Sequence, residues 1–101
     1  MSKISAIYCI TNKLNGKKYI GQSINVYERI KQHKREWKYP KRINPLYKDI
    51  QEYGLENFEF KVIEKCPIYL LNNREEHYIA LYNTMQPNGY NRNKGGSGYA
   101  Y

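Results

Sequence analysis

Ala6-Ile7-Tyr8-Cys9-Ile10-Thr11-Asn12-Lys13-Leu14-Asn15-Gly16-Lys17-Lys18-Tyr19-Ile20-Gly21 is the stretch whose reading decides the fold. Ile4 to Thr11 and Lys18 to Ser23 are short runs of β-prone residues. Between them, Asn15-Gly16 readily takes the left-handed conformations of a tight turn, so the stretch predicts a β-hairpin. Tyr8 falls on the first strand and Tyr19 on the second. Cross-strand neighbours on one face lie about 5 Å apart, so this hairpin can bring two phenol hydroxyls to one spot. That spot is a candidate reaction centre.

Further along, Asn25 stands three residues before Glu28 in the manner of a capping box. Tyr27, Ile30, Lys34 and Trp37 follow at helical spacing, which predicts a helix running to about Trp37. A basic linker, Lys38 to Arg42, leads to Asn44-Pro45, a cap and first-turn proline for a second helix with Leu46, Ile50 and Tyr53 on one face. Gly54 is its natural stop. Phe58, Phe60 and Val62 alternate with Glu59, Lys61 and Ile63, as in a third strand with one buried face. Leu71, Tyr78, Ile79 and Tyr82 form the apolar stripe of a last helix over roughly Ile68 to Tyr82, and Pro87-Asn88-Gly89 ends that order. Residues 94–101 are rich in glycine and predict a flexible tail or the start of a linker.

The chain has 101 residues, which suits one domain with a single modest core. Its 17 Lys and Arg against 9 Asp and Glu give a net charge of +8, which favours a polyanionic partner such as nucleic acid. Charge alone does not distinguish cleavage from binding. Twelve tyrosines supply apolar rings together with hydroxyls that can stack on bases or handle protons. Cys9 and Cys66 lack metal-knuckle spacing and read as reduced core residues, and no apolar run approaches a membrane span. Met1 to Ser5 do not resemble a leader. A soluble cytoplasmic protein is expected, in the host cell's cytoplasm if a phage encodes it.

Three residues break the pattern. Glu75 sits inside the apolar stripe of the last helix, where an unpaired charge would cost several kcal/mol. It is read either as an ion-pair partner of Arg29 or a lysine, or as a ligand for a hard cation such as Mg²⁺, which binds one or two carboxylates and keeps several waters. Arg29 and His33 are four apart and share a helix face. By themselves they read as a solvent-facing basic pair beside Lys31, Lys34 and Arg35. In a reaction centre, the guanidinium would hold phosphate oxygens and the imidazole would donate a hydrogen bond or proton.

Ala6-Ile7-Tyr8, Tyr19-Ile20-Gly21, Gln22-Ser23, Arg29 with His33, Asn57-Phe58, Arg74-Glu75 with Tyr78-Ile79, and Gly89-Tyr90-Asn91 together resemble the GIY-YIG nuclease superfamily. The match runs from about Ile4 to Asn93 and is most similar to the catalytic domains of phage and intron-encoded homing endonucleases. Ala6 stands where the family's first motif glycine would be. The resemblance implies an α+β fold, a small three-stranded antiparallel sheet flanked by helices, with a catalytic domain over residues 1–93. It implies a Mg²⁺-dependent endonuclease acting on double-stranded DNA, with Mn²⁺ as a plausible substitute. Tyr8 and Tyr19 would lie in the site, Arg29 would contact the scissile phosphate, His33 would assist proton transfer or positioning, and Glu75 would bind the metal. Asn91 corresponds to the family's site-organising asparagine. On this reading a water near Tyr8 attacks phosphorus and leaves a 5′-phosphate and a 3′-hydroxyl. Tyr8 is the base only if its surroundings favour the phenolate, because an ordinary tyrosine has a pKa near 10. No reader of a long target is evident, so a missing C-terminal DNA-binding domain or a partner is expected. A noncatalytic basic nucleic-acid-binding protein and a repair or restriction nuclease are the alternatives.

Overall fold

A computed structural model describes residues 3–96; Met1, Ser2 and residues 97–101 of the tail lie outside the described residues. The hairpin forms from β1 (Ala6–Asn12) and β2 (Lys18–Ser23), paired antiparallel with Tyr8 opposite Gly21 and Ile10 opposite Tyr19. Gly16 takes φ 79° in the turn, a conformation that glycine adopts without a Cβ clash. Asn12 Oδ1 accepts the Leu14 N–H at 2.9 Å and its Nδ2 donates to the Tyr90 hydroxyl at 3.1 Å, so this buried amide is satisfied at both ends.

The third strand, β3 (Phe58–Lys65), pairs antiparallel with the other edge of β1, giving the order β2-β1-β3. As the central strand, β1 is covered on both faces, and Ala6 to Ile10 are all buried. Ala6, Tyr8 and Ile10 pack with Phe58 beneath two helices, α1 (Val26–Glu36) and α2 (Pro45–Tyr53). Ile7, Cys9 and Ile20 face the other way, onto Leu71 and Ile79 of α3 (Leu71–Tyr82). The sheet is therefore the middle of three layers. Alternation along β3 points Val62 to the first core and Ile63 to the second, and the pairing with β1 shifts register between Ile7 and Tyr8.

The ends of α2 follow its sequence: Asn44 Oδ1 accepts the Tyr47 N–H at 2.8 Å, Pro45 opens the first turn, and Gly54 at φ 93° closes the last. Its buried residues are Leu46, Tyr47 and Ile50, while Tyr53 is exposed. The capping box expected at Asn25 does not form. The Asn25 side chain makes no cap bond; its N–H goes to Ser23 Oγ at 2.9 Å, and the Val26 N–H is taken by the Ile4 carbonyl at 2.9 Å. The Ser23 hydroxyl thus takes the Asn25 backbone N–H that Glu28 would accept in a capping box. A single 3₁₀ turn, Ile68–Leu70, precedes α3, so the α-helix proper begins three residues later than its apolar pattern predicts. Both thiols are free, Cys9 buried and Cys66 half-buried, and burial raises the pKa of each. Among the described residues no helix is long and apolar enough to cross a membrane.

Candidate active site

The site is built outward from Gly21. A Cβ there would collide with Cζ and the hydroxyl of Tyr8, so the missing side chain on β2 is what lets the Tyr8 ring lie across that strand. Tyr8 itself is 1% exposed, and its hydroxyl is 2.7 Å from His33 Nε2. His33 is 3% exposed, and its Nδ1 is 2.8 Å from the Tyr47 hydroxyl. The expected solvent-facing pair on α1 is thus corrected for its histidine, since α2 packs Tyr47 over it. Arg29, one turn earlier, is half-buried at the rim.

Tyr19 is diagonal to Tyr8 rather than opposite it, with ring centroids 6.2 Å apart. The two phenols differ in access. Tyr8 lies inside, whereas half-buried Tyr19 lines a cleft of about 610 Å³ that Arg29, His33 and Glu75 also line. Glu75 arrives from the opposite layer, on α3 alongside the β2 edge. It is half-buried, and its Oε1 accepts Gln22 Nε2 at 3.1 Å and the Gly96 N–H at 3.1 Å. No cation pairs with it among the described residues, so the ion-pair alternative is not realised and amide groups bond the carboxylate instead. Glu76 and His77 are exposed.

Asn91 closes the outer edge of β2. Its Oδ1 accepts the Ile20 N–H at 2.9 Å and the Thr84 hydroxyl at 2.8 Å, and its Nδ2 donates to the Ile20 carbonyl at 2.9 Å. With the Tyr90 N–H on the Lys18 carbonyl at 2.9 Å, the segment acts as a short substitute for a fourth strand. Asn91 is 7% exposed and its amide is engaged on both sides.

The electrostatics follow from burial. Desolvation, reinforced by Tyr19, pushes the Tyr8 phenol well above its usual pKa, and Arg29 opposes this without prevailing. Burial also raises the Tyr19 pKa, with Arg29 and the Tyr8 hydroxyl pulling the other way and Glu75 adding to the rise. Burial and then Arg29 lower the His33 pKa to about 3, so the imidazole is neutral at physiological pH. Burial alone would lower the Arg29 pKa, but the oxygens of Tyr8, Tyr19 and Tyr47 more than offset it and the guanidinium stays charged.

A model of the GIY-YIG catalytic domain matches residues 4–91. The chain belongs to the GIY-YIG family. Among solved structures, it is similar to a variant of the catalytic domain of intron endonuclease I-TevI, at 28% identity and TM-score 0.81 over 91% of this chain and 96% of that one. It is also similar to the catalytic domain of homing endonuclease I-TevI, at 29% identity and TM-score 0.78 over 88% and 98%. No curated protein sequence matches it. The α+β fold, three antiparallel strands with three helices, is that of the I-TevI catalytic domain, and the chain is a GIY-YIG nuclease domain. Ala6, in the motif's first position, buries its methyl in the core without opening the sheet.

In this GIY-YIG domain the cleft has contributors that the motifs do not name. Tyr47, Lys41, Arg42 and Arg92 all line it. The basic linker was visible in sequence; Tyr47 was not, because the apolar face of α2 was drawn through Tyr53 instead.

Proposed function

We propose that the chain is a metal-dependent DNA endonuclease domain of the homing type, encoded by a phage or mobile element. The convergence of Tyr19, Arg29 and Glu75 on one basic cleft carries this reading. Glu75 fits a Mg²⁺ ligand: it is one half-buried carboxylate without a counter-cation among the described residues, and only its Oε1 is engaged. Its Gln22 partner carries a buried Oε1 with no hydrogen-bond donor among the described residues. A bound cation would supply charge neutralisation at the phosphate and the leaving oxygen.

The protein's own groups do the rest. Arg29, charged at every working pH, holds the phosphate and stabilises the negative charge that grows on it. Tyr19 borders the cleft and is the phenol that can touch an attacking water; Tyr8 supports it from behind. Because the Tyr19 pKa is raised, it orients that water as a hydrogen-bond acceptor in the resting protein rather than removing its proton. In-line attack forms the bond from the water oxygen to phosphorus and breaks the bond to the 3′ oxygen; the water's proton passes to bulk solvent and the 3′ oxygen takes one up from it, leaving a 5′-phosphate and a 3′-hydroxyl. His33 and Asn91 hold the phenols and β2 in place.

Supercoiled plasmid with Mg²⁺, with and without chelator, tests the proposal. Nicking should need the metal. Glu75→Ala should abolish nicking while DNA affinity, read by gel shift in chelator, stays within about twofold, since Arg29 and the other basic side chains of the cleft remain. Chelator-resistant nicking would remove the metal from the reaction, and binding without cleavage under any divalent ion would favour a nucleic-acid-binding role.

A further inference from the structure

Among the described residues Tyr39 is the most exposed large apolar side chain, at 90%. It stands in the connection between α1 and α2, Trp37-Lys38-Tyr39-Pro40-Lys41-Arg42-Ile43-Asn44. Pro40, Lys41 and Arg42 line the cleft that holds Tyr19, Arg29 and Glu75, and Tyr39 does not, so its ring stands on the outer rim. That rim is braced at both ends. Gln51 Nε2 donates to the Trp37 carbonyl at 2.9 Å, the Arg92 guanidinium donates to the Ile43 carbonyl at 3.3 Å, and Asn44 caps α2. Pro40 locks its own φ and disfavours the helical region at Tyr39, which narrows the shapes open to the tip. Lys38, Lys41 and Arg42 make no ion pair among the described residues.

We propose that this connection is a DNA-gripping rim of the nuclease site: Lys41 and Arg42 hold backbone phosphates beside the cut, and the Tyr39 ring packs on the sugar and base edge of a flanking nucleotide. The inference rests on the nuclease reading, which makes duplex DNA the occupant of the cleft. Consecutive Cα atoms are 3.8 Å apart, so the Cα of Tyr39 lies within about 7.6 Å of that of Lys41. A strand held by Lys41 therefore runs past a ring that the protein itself leaves in water. Covering that ring gains apolar burial, and the bracing lowers the ordering cost of doing so. The competing reading is an ordinary surface tyrosine. Tyr69 is one: it is 81% exposed in the 3₁₀ turn before α3, lies outside the cleft, and has no Lys or Arg within three residues on either side. It matches Tyr39 in type and exposure and lacks the phosphate-holding neighbours.

The test is fluorescence anisotropy of a short fluorescein-labelled duplex in chelator, where nothing is cut, over a series of salt concentrations. Tyr39→Ala should bind about tenfold more weakly at every salt concentration with the wild-type salt slope, because a ring contact releases no counterions. Its melting temperature should match the wild type, since the side chain is 90% exposed. Tyr39→Phe, which keeps the ring, should bind like the wild type. Lys41→Gln should instead flatten the slope by about 0.9, the share of one phosphate contact. Tyr69→Ala should change neither affinity nor slope. Wild-type affinity in Tyr39→Ala, an equal loss in Tyr69→Ala, or an unchanged slope in Lys41→Gln would overturn the proposal. Nicking is scored separately: a wild type that binds the duplex but nicks plasmid with no divalent ion would sink the nuclease reading, and the affinities would still decide whether DNA crosses this rim.

Discussion

His33 is the residue on which the site's pH behaviour turns. Its folded pKa of about 3 lies below the ordinary 6.5, so the unfolded chain takes up a proton first as pH falls. The stability tied to the neutral ring is complete above 6.5 and is lost between 6.5 and 3, at up to about 1.4 kcal/mol per pH unit. Urea melts at pH 7, 5 and 4 should therefore fall more steeply for the wild type than for His33→Gln. Parallel slopes would show the ring to be solvated. None of this was legible along α1, where His33 shares a face with Arg29 on a helix that also carries Lys31, Lys34 and Arg35. The partner that buries it comes from α2, and single-sequence periodicity has no view of contacts between elements. Glu75, by contrast, stood out because a carboxylate sits within the apolar stripe of its helix.

At the scale of elements, the strands and helices were readable because their signals are local: Asn15-Gly16 in the turn with Gly16 at positive φ, Pro45 after a capping asparagine, and Gly54 beyond the last turn. The register was not. That Tyr8 faces Gly21, and that the glycine exists to admit the ring, emerges only once β2 is paired. The clamp on β2 was equally hidden, since Asn91 acts 71 residues away on Ile20. Asn91→Ala should strand the Ile20 N–H and C=O and lower unfolding free energy by about 3 kcal/mol, near the upper range for unsatisfied buried groups. A denaturant midpoint measures this, and hydrogen exchange at the Ile20 amide should accelerate with it. Unchanged protection of that amide would mean that β2 holds its edge without the clamp.

For the whole molecule the relevant quantity is charge. Arg29, Lys41, Arg42 and Arg92 line the cleft. If each meets one phosphate of duplex DNA, the logarithm of the binding constant should fall with the logarithm of salt at a slope of about −3.6. A slope near zero would mark the +8 as ordinary surface charge. The composition announced this charge without locating it; the three-layer packing gathers part of it beside the phenols.

The order in which the chain leaves the ribosome gives the β2 clamp a further consequence. Tyr8, Tyr19 and Arg29 emerge in the first third of the polypeptide, yet the amide that fastens β2, the strand of Tyr19, belongs to residue 91. A partly translated chain thus carries Tyr19 on an unfastened strand, and the proposed site is secured only when synthesis of the domain is nearly over.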